Sequence, residues 1–257
     1  MAGVANTGSD PNWTGHPMAQ SNWYAFGRFA WNLEMDAADI AKEWVTLSLS
    51  RDPEVVEEIT DMMLQSHATY INYTYPLGLH HMMGESHHYG PQPWLAKSGR
   101  PDWTSVYYHR ASSTGIGFDR TGKYSNALDL YHPNVQKQWK DPNQCSLDYL
   151  LWFHHLPWDF KLKTGRILWD ELMHRYYEGV EEVEKMSARW EQLKEKLPPE
   201  IFENVRGRLQ IQIKEALWWR DACYLYFREF SGLPLPKGHV LPHRSLEDVK
   251  QLKLFIT

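Results

Sequence analysis

Residues 75–94 read YPLGLHHMMGESHHYGPQPW and place four histidines and one glutamate among three aromatic rings. Imidazole and carboxylate side chains together suit metal binding, acid–base chemistry or hydrogen bonding to a sugar. As metal donors, His80, His81, Glu85, His87 and His88 lack the i, i+4 histidine pair with adjacent glutamate that the helical zinc motif needs. Neighbouring histidines also point apart, so at most two or three could converge. No metal and no cofactor is therefore expected. Two readings remain for this segment: histidines that bond to backbone and stack on rings, or a sugar-binding loop in which His87 and His88 contact substrate.

Residues 101–121, PDWTSVYYHRASSTGIGFDRT, combine flat faces with donors in Trp103, Tyr107, Tyr108, His109 and Arg110. Arg110 and Arg120 have the planar fork that fits a carboxylate. The bland alternative for Arg120 is an ion pair with Asp119 or another acid. Gly115-Ile116-Gly117 lacks the third glycine and following helix of a dinucleotide loop. In a third segment, LLWFHHLPWDF at 150–160, His154, His155, Trp158 and Asp159 fit an aromatic core with capping polar groups. There is no G-x-S-x-G elbow, and no motif marks Cys145 as a nucleophile. The carboxylates of the region are Glu85, Asp102, Asp119 and Asp159. If the chain hydrolyses a glycosidic bond alone, the preferred pair is Glu85 as general acid and Asp119 as base or nucleophile. A His-rich apolar setting would favour a protonated Glu85, and Arg120 would keep Asp119 ionised.

The elements that must hold these segments are helices. Asp36 can cap a helix over about 37–49, and Asp52-Pro53 opens another to about residue 72. Residues 74–142 show no lasting period but are rich in Gly, Pro, Trp, Tyr and His, which reads as a long ordered loop region carrying function. SLDYLLWFHHL is a short buried helix stopped by Pro157. Apolar residues spaced by three and four over 166–197 and over about 199–230 make two long amphipathic helices. Pro198-Pro199 between them predicts an antiparallel hairpin. The tail GLPLPKGHVLP is extended. The fold class is mainly α: long antiparallel helices with a long ordered irregular loop region.

Composition bounds the partners. Net charge is −5 over 257 residues, against the basic balance of a general nucleic-acid binder. No apolar run reaches about 18 residues, so no membrane span is expected. The first residues show no leader pattern, which gives a cytoplasmic expectation. The two cysteines, Cys145 and Cys223, do not make a disulfide framework. Thirteen Trp and fourteen Tyr exceed what a core alone asks for, and large flat rings also bind sugars.

Four stretches together, TGHPMAQSNWYAFGRFAWN, YPLGLHHMMGESHHYGPQPW, YYHRASSTGIGFDRT and LLWFHHLPWD, resemble the C-terminal part of xylan α-glucuronidases, glycoside hydrolase family 67. The resemblance runs over about residues 10–230. It implies that residues 1–31, including GVANTG, are similar to the end of a (β/α)8 barrel, and that 32–257 form a mainly helical C-terminal-type domain that often mediates dimerisation. The family removes 4-O-methyl-glucuronic acid from xylo-oligosaccharides with inversion. Its acid and base lie on barrel strands upstream of anything here, so no catalytic residue carries over. The Trp103 segment is similar to the part that approaches the sugar, which makes Trp103, Tyr108, His109 and Arg110 substrate-contact candidates, with Arg120 beside them. The expected partner is a xylo-oligosaccharide or glucuronoxylan fragment, bound by a homodimer. Any stand-alone cleavage could be β-xylosidase-like, and the alternative is a non-catalytic helical module for dimerisation or xylan binding.

Overall fold

The computed structural model describes residues 15–85 and 88–253; GVANTG and His87 lie outside the described residues. The architecture is mainly helical. Helices α1 (Gln20–Trp31), α2 (Ala37–Ser48) and α3 (Pro53–Thr74) come first. Short helices α4 (Ser105–His109) and α5 (Pro133–Trp139) punctuate the loop region, and α6 (Leu150–Phe153) follows it. Helices α7 (Leu168–Glu191), α8 (Pro199–Ser231) and the short α9 (Leu246–Lys250) complete the described chain. Among the described residues extended pairing is limited to isolated bridges such as Ile116–Leu156. No described helix is long and apolar enough to cross a membrane.

Local chemistry sets the helix starts. The Asp36 carboxylate accepts from the Ala38 N–H at 2.7 Å and opens α2. The Asp52 carboxylate does the same for Glu54 at 2.9 Å and opens α3, with Pro53 at the first position, where its missing N–H costs nothing. Helices α1 and α9 lie outside the expected elements, as do the short α4 and α5 inside the stretch read as irregular. Helix α1 lies in the stretch read as an entry segment; its start is a turn at Pro17–Ala19 capped by His16 Nδ1. Helix α9 follows a capping box between Ser245 and Asp248. The helix expected at 166–197 stops at Glu191, where the chain tightens into a 3-10 turn.

The chain forms two compact units, one comprising residues up to 68 with 182–213, the other residues 69–181 with 214 onward. In the first unit, Glu191 pairs with Arg206 at 2.9 Å and Ser187 with Gln210 at 3.1 Å. The numbers fall on one side as they rise on the other, so the two segments run antiparallel, as the proline break requires. Their inner faces bury Met186, Trp190, Phe202 and Val205 with Trp44, Val55 and Ile59. Trp190 stacks on Phe202 with planes 8° apart and donates its indole N–H to the Phe202 carbonyl at 3.1 Å. Helix α1 buries none of its residues; its last residue, Trp31, and Leu33 just beyond it are more than four-fifths exposed.

In the second unit, Trp169, Tyr176, Tyr224 and Phe227 are fully buried. Gly179 lets α7 lie against α3: a Cβ there would come within 2.6 Å of the Tyr73 nitrogen. Buried Glu171 is held by Arg166 and Arg175, each at 2.9 Å. The extended tail is tied down by Trp169 Nε1 to the Pro234 carbonyl at 2.8 Å and by the Tyr177 hydroxyl to the Val240 carbonyl at 2.7 Å.

Candidate saccharide-binding site

The irregular segments of the second unit are ordered by backbone pairing with one another. Ile116 and Leu156 exchange N–H and carbonyl bonds at 3.0 and 2.9 Å. Phe118 N–H reaches the Leu151 carbonyl, and Arg120 N–H the Phe153 carbonyl, both at 2.9 Å. Two glycines make this approach possible. A Cβ on Gly115 would sit 2.1 Å from the Leu156 oxygen, and one on Gly117 2.1 Å from the His154 oxygen. The Gly-Ile-Gly sequence is thus a close-approach device.

This ladder places Phe118 between two arginines. The Arg120 guanidinium lies 4.2 Å from the Phe118 centroid and 3.5 Å from that of Trp152, and its Nη1 donates to the Trp152 carbonyl. The Arg110 guanidinium lies 4.5 Å from Phe118 and 4.2 Å from Tyr124. Arg110 holds a left-handed backbone, φ 44°, at the end of α4, and its Nε is buried without a hydrogen-bond partner. Among the described residues neither guanidinium pairs with a carboxylate. Burial pulls the Arg120 pKa down to about 10, with the Tyr107, Tyr108 and Tyr131 hydroxyls acting in the other direction. The ion pair with Asp119 considered from the sequence does not form. Asp119 Oδ1 instead accepts from the Thr121 N–H at 2.9 Å and its hydroxyl at 2.8 Å, closing a turn.

Above this base lies a surface of rings. Tyr108 is nearly parallel to Trp152, 14° apart with centroids at 6.2 Å, and its centroid is 4.7 Å from that of His81. His80 stacks on Tyr75 at 5.6 Å and meets Trp152 edge-on at 5.4 Å. His88 is exposed and turns its ring to His81 at 6.2 Å. The pKa of His80 is lowered by burial, then by His81 and Arg120; that of His81 by burial, then by His88. Both imidazoles are therefore favoured in the neutral form, able to donate and accept at once. Trp103 is 53% exposed, a free-standing platform with the Arg100 guanidinium 5.6 Å from its ring.

The structure therefore divides the sequence candidates. Trp103, Tyr108, His88, Arg110 and Arg120 belong to one neighbourhood of rings and cations. His109 does not face solvent: it is fully buried, with Nε2 bonded to the Pro93 carbonyl at 2.8 Å and Nδ1 accepting from the Ala111 N–H at 2.9 Å. With both nitrogens used, it positions the Tyr108–Arg110 turn and has no group left for a sugar. Glu85 is exposed on a turn, its N–H donating to Gln92 Oε1 at 2.9 Å, and it lacks the apolar enclosure expected around it. Among the described residues no cluster of three His, Cys, Asp or Glu side chains could hold a metal. His154 and His155 bond to the Trp139 and Gly117 carbonyls at 2.8 Å, the structural role anticipated for that segment. The carboxyl that does sit in an apolar setting is Glu215, on α8, which the sequence reading passed over. Burial raises its pKa to about 7 despite a hydrogen bond from Tyr89. The apolar run Ala216-Leu217-Trp218-Trp219 that follows it directly is the signal that marks it.

Comparison with known proteins bears on this surface. Residues 14–240 match the family described as glycosyl hydrolase family 67 C-terminus. The "Alpha-glucuronidase" of Hypocrea jecorina is 35% identical over 248 residues, covering 95% of this chain and 29% of that protein. The "Alpha-glucuronidase A" of Emericella nidulans is 33% identical over 260 residues, covering 98% of this chain and 30% of that protein. The "Alpha-glucuronidase A" of Aspergillus tubingensis is 31% identical over 256 residues, with the same two coverages, 98% and 30%. The chain thus spans about 30% of the length of the curated relatives it matches. Helices α1 to α8, the paired Gly115–Arg120 and Leu151–Leu156 segments and the ring surface lie within the matched residues, and the chain belongs to the C-terminal family of glycosyl hydrolase family 67.

Proposed function

We propose that this chain is the sugar-contacting C-terminal part of a glycoside hydrolase acting on xylan-derived oligosaccharides that carry uronic acid. The observation that carries the reading is the carboxylate-free arginine pair, Arg110 and Arg120, beneath the rings of Tyr107, Tyr108 and Trp152. Flat rings take the C–H faces of a pyranose, and neutral imidazoles trade hydrogen bonds with its hydroxyls. Two guanidinium groups without carboxylates favour an anionic sugar over a neutral one. Trp103 and Tyr108 supply the platforms, His80, His81 and His88 the polar edge, and His87 adjoins them in sequence. The names of the relatives, α-glucuronidases, fit this selectivity.

Positioning, and not bond cleavage, is the part of the chemistry these residues support. Exposed Glu85 and turn-closing Asp119 are the pair through which any stand-alone hydrolysis would run, glucuronidic or xylosidic. Dimerisation belongs to the same proposal, supported by the exposed Trp23, Phe26, Trp31 and Leu33 along α1 and its exit. The test is electrophoresis of the purified chain through gels containing glucuronoxylan or unsubstituted xylan, with chromatography of aldouronic acids after incubation. Retardation by glucuronoxylan without product supports the reading. Release of glucuronic acid or xylose that vanishes in Glu85→Gln or Asp119→Asn would move the chain into the catalytic class. Equal mobility in all gels would remove the proposal.

A further inference from the structure

We propose that a separate cavity walled by Tyr89, Trp94 and Trp218 is a second saccharide site that takes a pyranose bearing a carboxylate. The cavity, about 370 Å³, is lined by the end of the histidine segment, by Trp218 of α8 and by the chain at the end of α9 and just after it, with Gln92, Lys250 and Lys253 completing its wall. That volume falls within the roughly 300–1,000 Å³ of small-ligand sites and holds one or two sugar rings. It shares no residue with the arginine–tyrosine surface, so it does not depend on the function proposed above.

The polarity of the wall decides the ligand. Gln92 spends its Oε1 on the Glu85 N–H at 2.9 Å, which leaves its amide donors to face a ligand. The Tyr89 hydroxyl is engaged with Glu215 behind it. Lys250 and Lys253 are pure donors carrying positive charge. Lys250 Nζ lies 5.8 Å from the Trp94 centroid and pairs with Glu247 at 2.7 Å. That carboxylate is 77% exposed, so the pair is worth little and gives way to a ligand anion. A wall of rings with donors at its edge asks for an occupant with an apolar face, many acceptors and an anionic group. Gly90 fits the wall together: at φ +66°, a Cβ there would meet the Trp218 ring at 2.5 Å. The indole of Trp218 is fixed from the other end by its N–H on the Val249 carbonyl at 3.3 Å.

The experiment follows indole ¹H–¹⁵N resonances, assigned by single Trp→Phe variants, during titration with methyl β-D-glucuronide, methyl β-D-glucoside and acetate. The glucuronide is expected to shift the Trp94 and Trp218 signals saturably, binding at least fivefold tighter than the glucoside or acetate. The surface double variant Lys250→Gln/Lys253→Gln is expected to lose that preference with unchanged melting temperature, and Trp94→Ala to lose binding. Equal affinity for glucuronide and glucoside, equal affinity for acetate, or shifts confined to other indoles such as Trp103 would each overturn the assignment. So would unaltered glucuronide binding in both variants.

Discussion

Arg120 lies over the Trp152 ring, with 3.5 Å between its guanidinium carbon and the ring centroid, and also donates to the carbonyl of the same residue. A buried cation normally demands a carboxylate. Here the ring faces of Trp152 and Phe118 and one carbonyl stand in for it. The cation is therefore already desolvated and oriented before any anion arrives, which limits the reorganisation that binding costs.

Arg120→Lys is expected to be less stable than wild type by about 1–2 kcal/mol, because a desolvated cation–π stack contributes on that order and a lysine loses both plane and fork. Arg120→Met keeps the packing without the charge and is expected to melt at or above the lysine variant. Thermal denaturation of both variants checks this. A lysine variant that melts like wild type would show that the stack contributes nothing.

His109 gives a pH signature. Its pKa is pushed down to about 4 by burial, from an ordinary value of 6.5. Between those values the unfolded chain binds the proton and the folded one does not, so stability rises with pH through the window. The contribution is complete above 6.5 and lost as pH falls toward 4, a change of about 3 kcal/mol at most. His109→Gln is expected to flatten this part of the stability profile while lowering stability at pH 7.

Glu215 acts in the opposite direction. Its pKa is raised from 4.5 to about 7, so the folded chain holds a proton that the unfolded chain releases. Stability falls as pH rises from about 4.5 to 7, by an amount on the order of 1–2 kcal/mol once solvent screening is allowed for. Glu215→Gln is expected to raise the melting temperature at pH 8 and to leave it little changed at pH 4.5. Chemical denaturation of wild type and variant at the two pH values isolates this slope, because the opposing His109 contribution is common to both chains.

Two glycines supply a matched comparison. Gly117→Ala drives a Cβ to 2.1 Å from the His154 oxygen at φ +108°, whereas Gly122→Ala, at φ +141°, meets nothing within 4 Å. The first is expected to cost about 3 kcal/mol or more and to disorder the Phe118–Arg120 segment; the second only backbone strain of about 1 kcal/mol. Equal losses in the two variants would deny the close approach a structural role.

The helices were legible because their signals are local. Asp36, Asp52-Pro53 and the apolar stripe from Trp169 to Trp190 announce themselves within a few residues. Helix α9 was missed because five residues carry no period, and α1 because its rings lack an inward stripe. The candidate surface was half legible. Residue type singled out Trp103, Tyr108, Arg110 and Arg120, which the fold brings into one neighbourhood of rings and cations. What type alone does not reveal is where a side chain points: His109 looks like its exposed neighbours but is sealed by Pro93 and Ala111. Glu85 looked like an enclosed acid because histidines crowd it in sequence, while the enclosed acid, Glu215, lies about 130 residues away and meets Tyr89 only in the fold.

In the proposed function the Tyr108–Arg120 surface binds a xylan oligosaccharide through its uronic acid. The direct measurement is calorimetric titration of the purified chain with aldotetraouronic acid and with xylotetraose, repeated for Tyr108→Ala and Trp103→Ala. Tighter binding of the acidic sugar by tenfold or more is expected, weakened at least tenfold in Tyr108→Ala and to a smaller extent in Trp103→Ala. Equal affinity for the two sugars, or an unchanged titration in both variants, would contradict it.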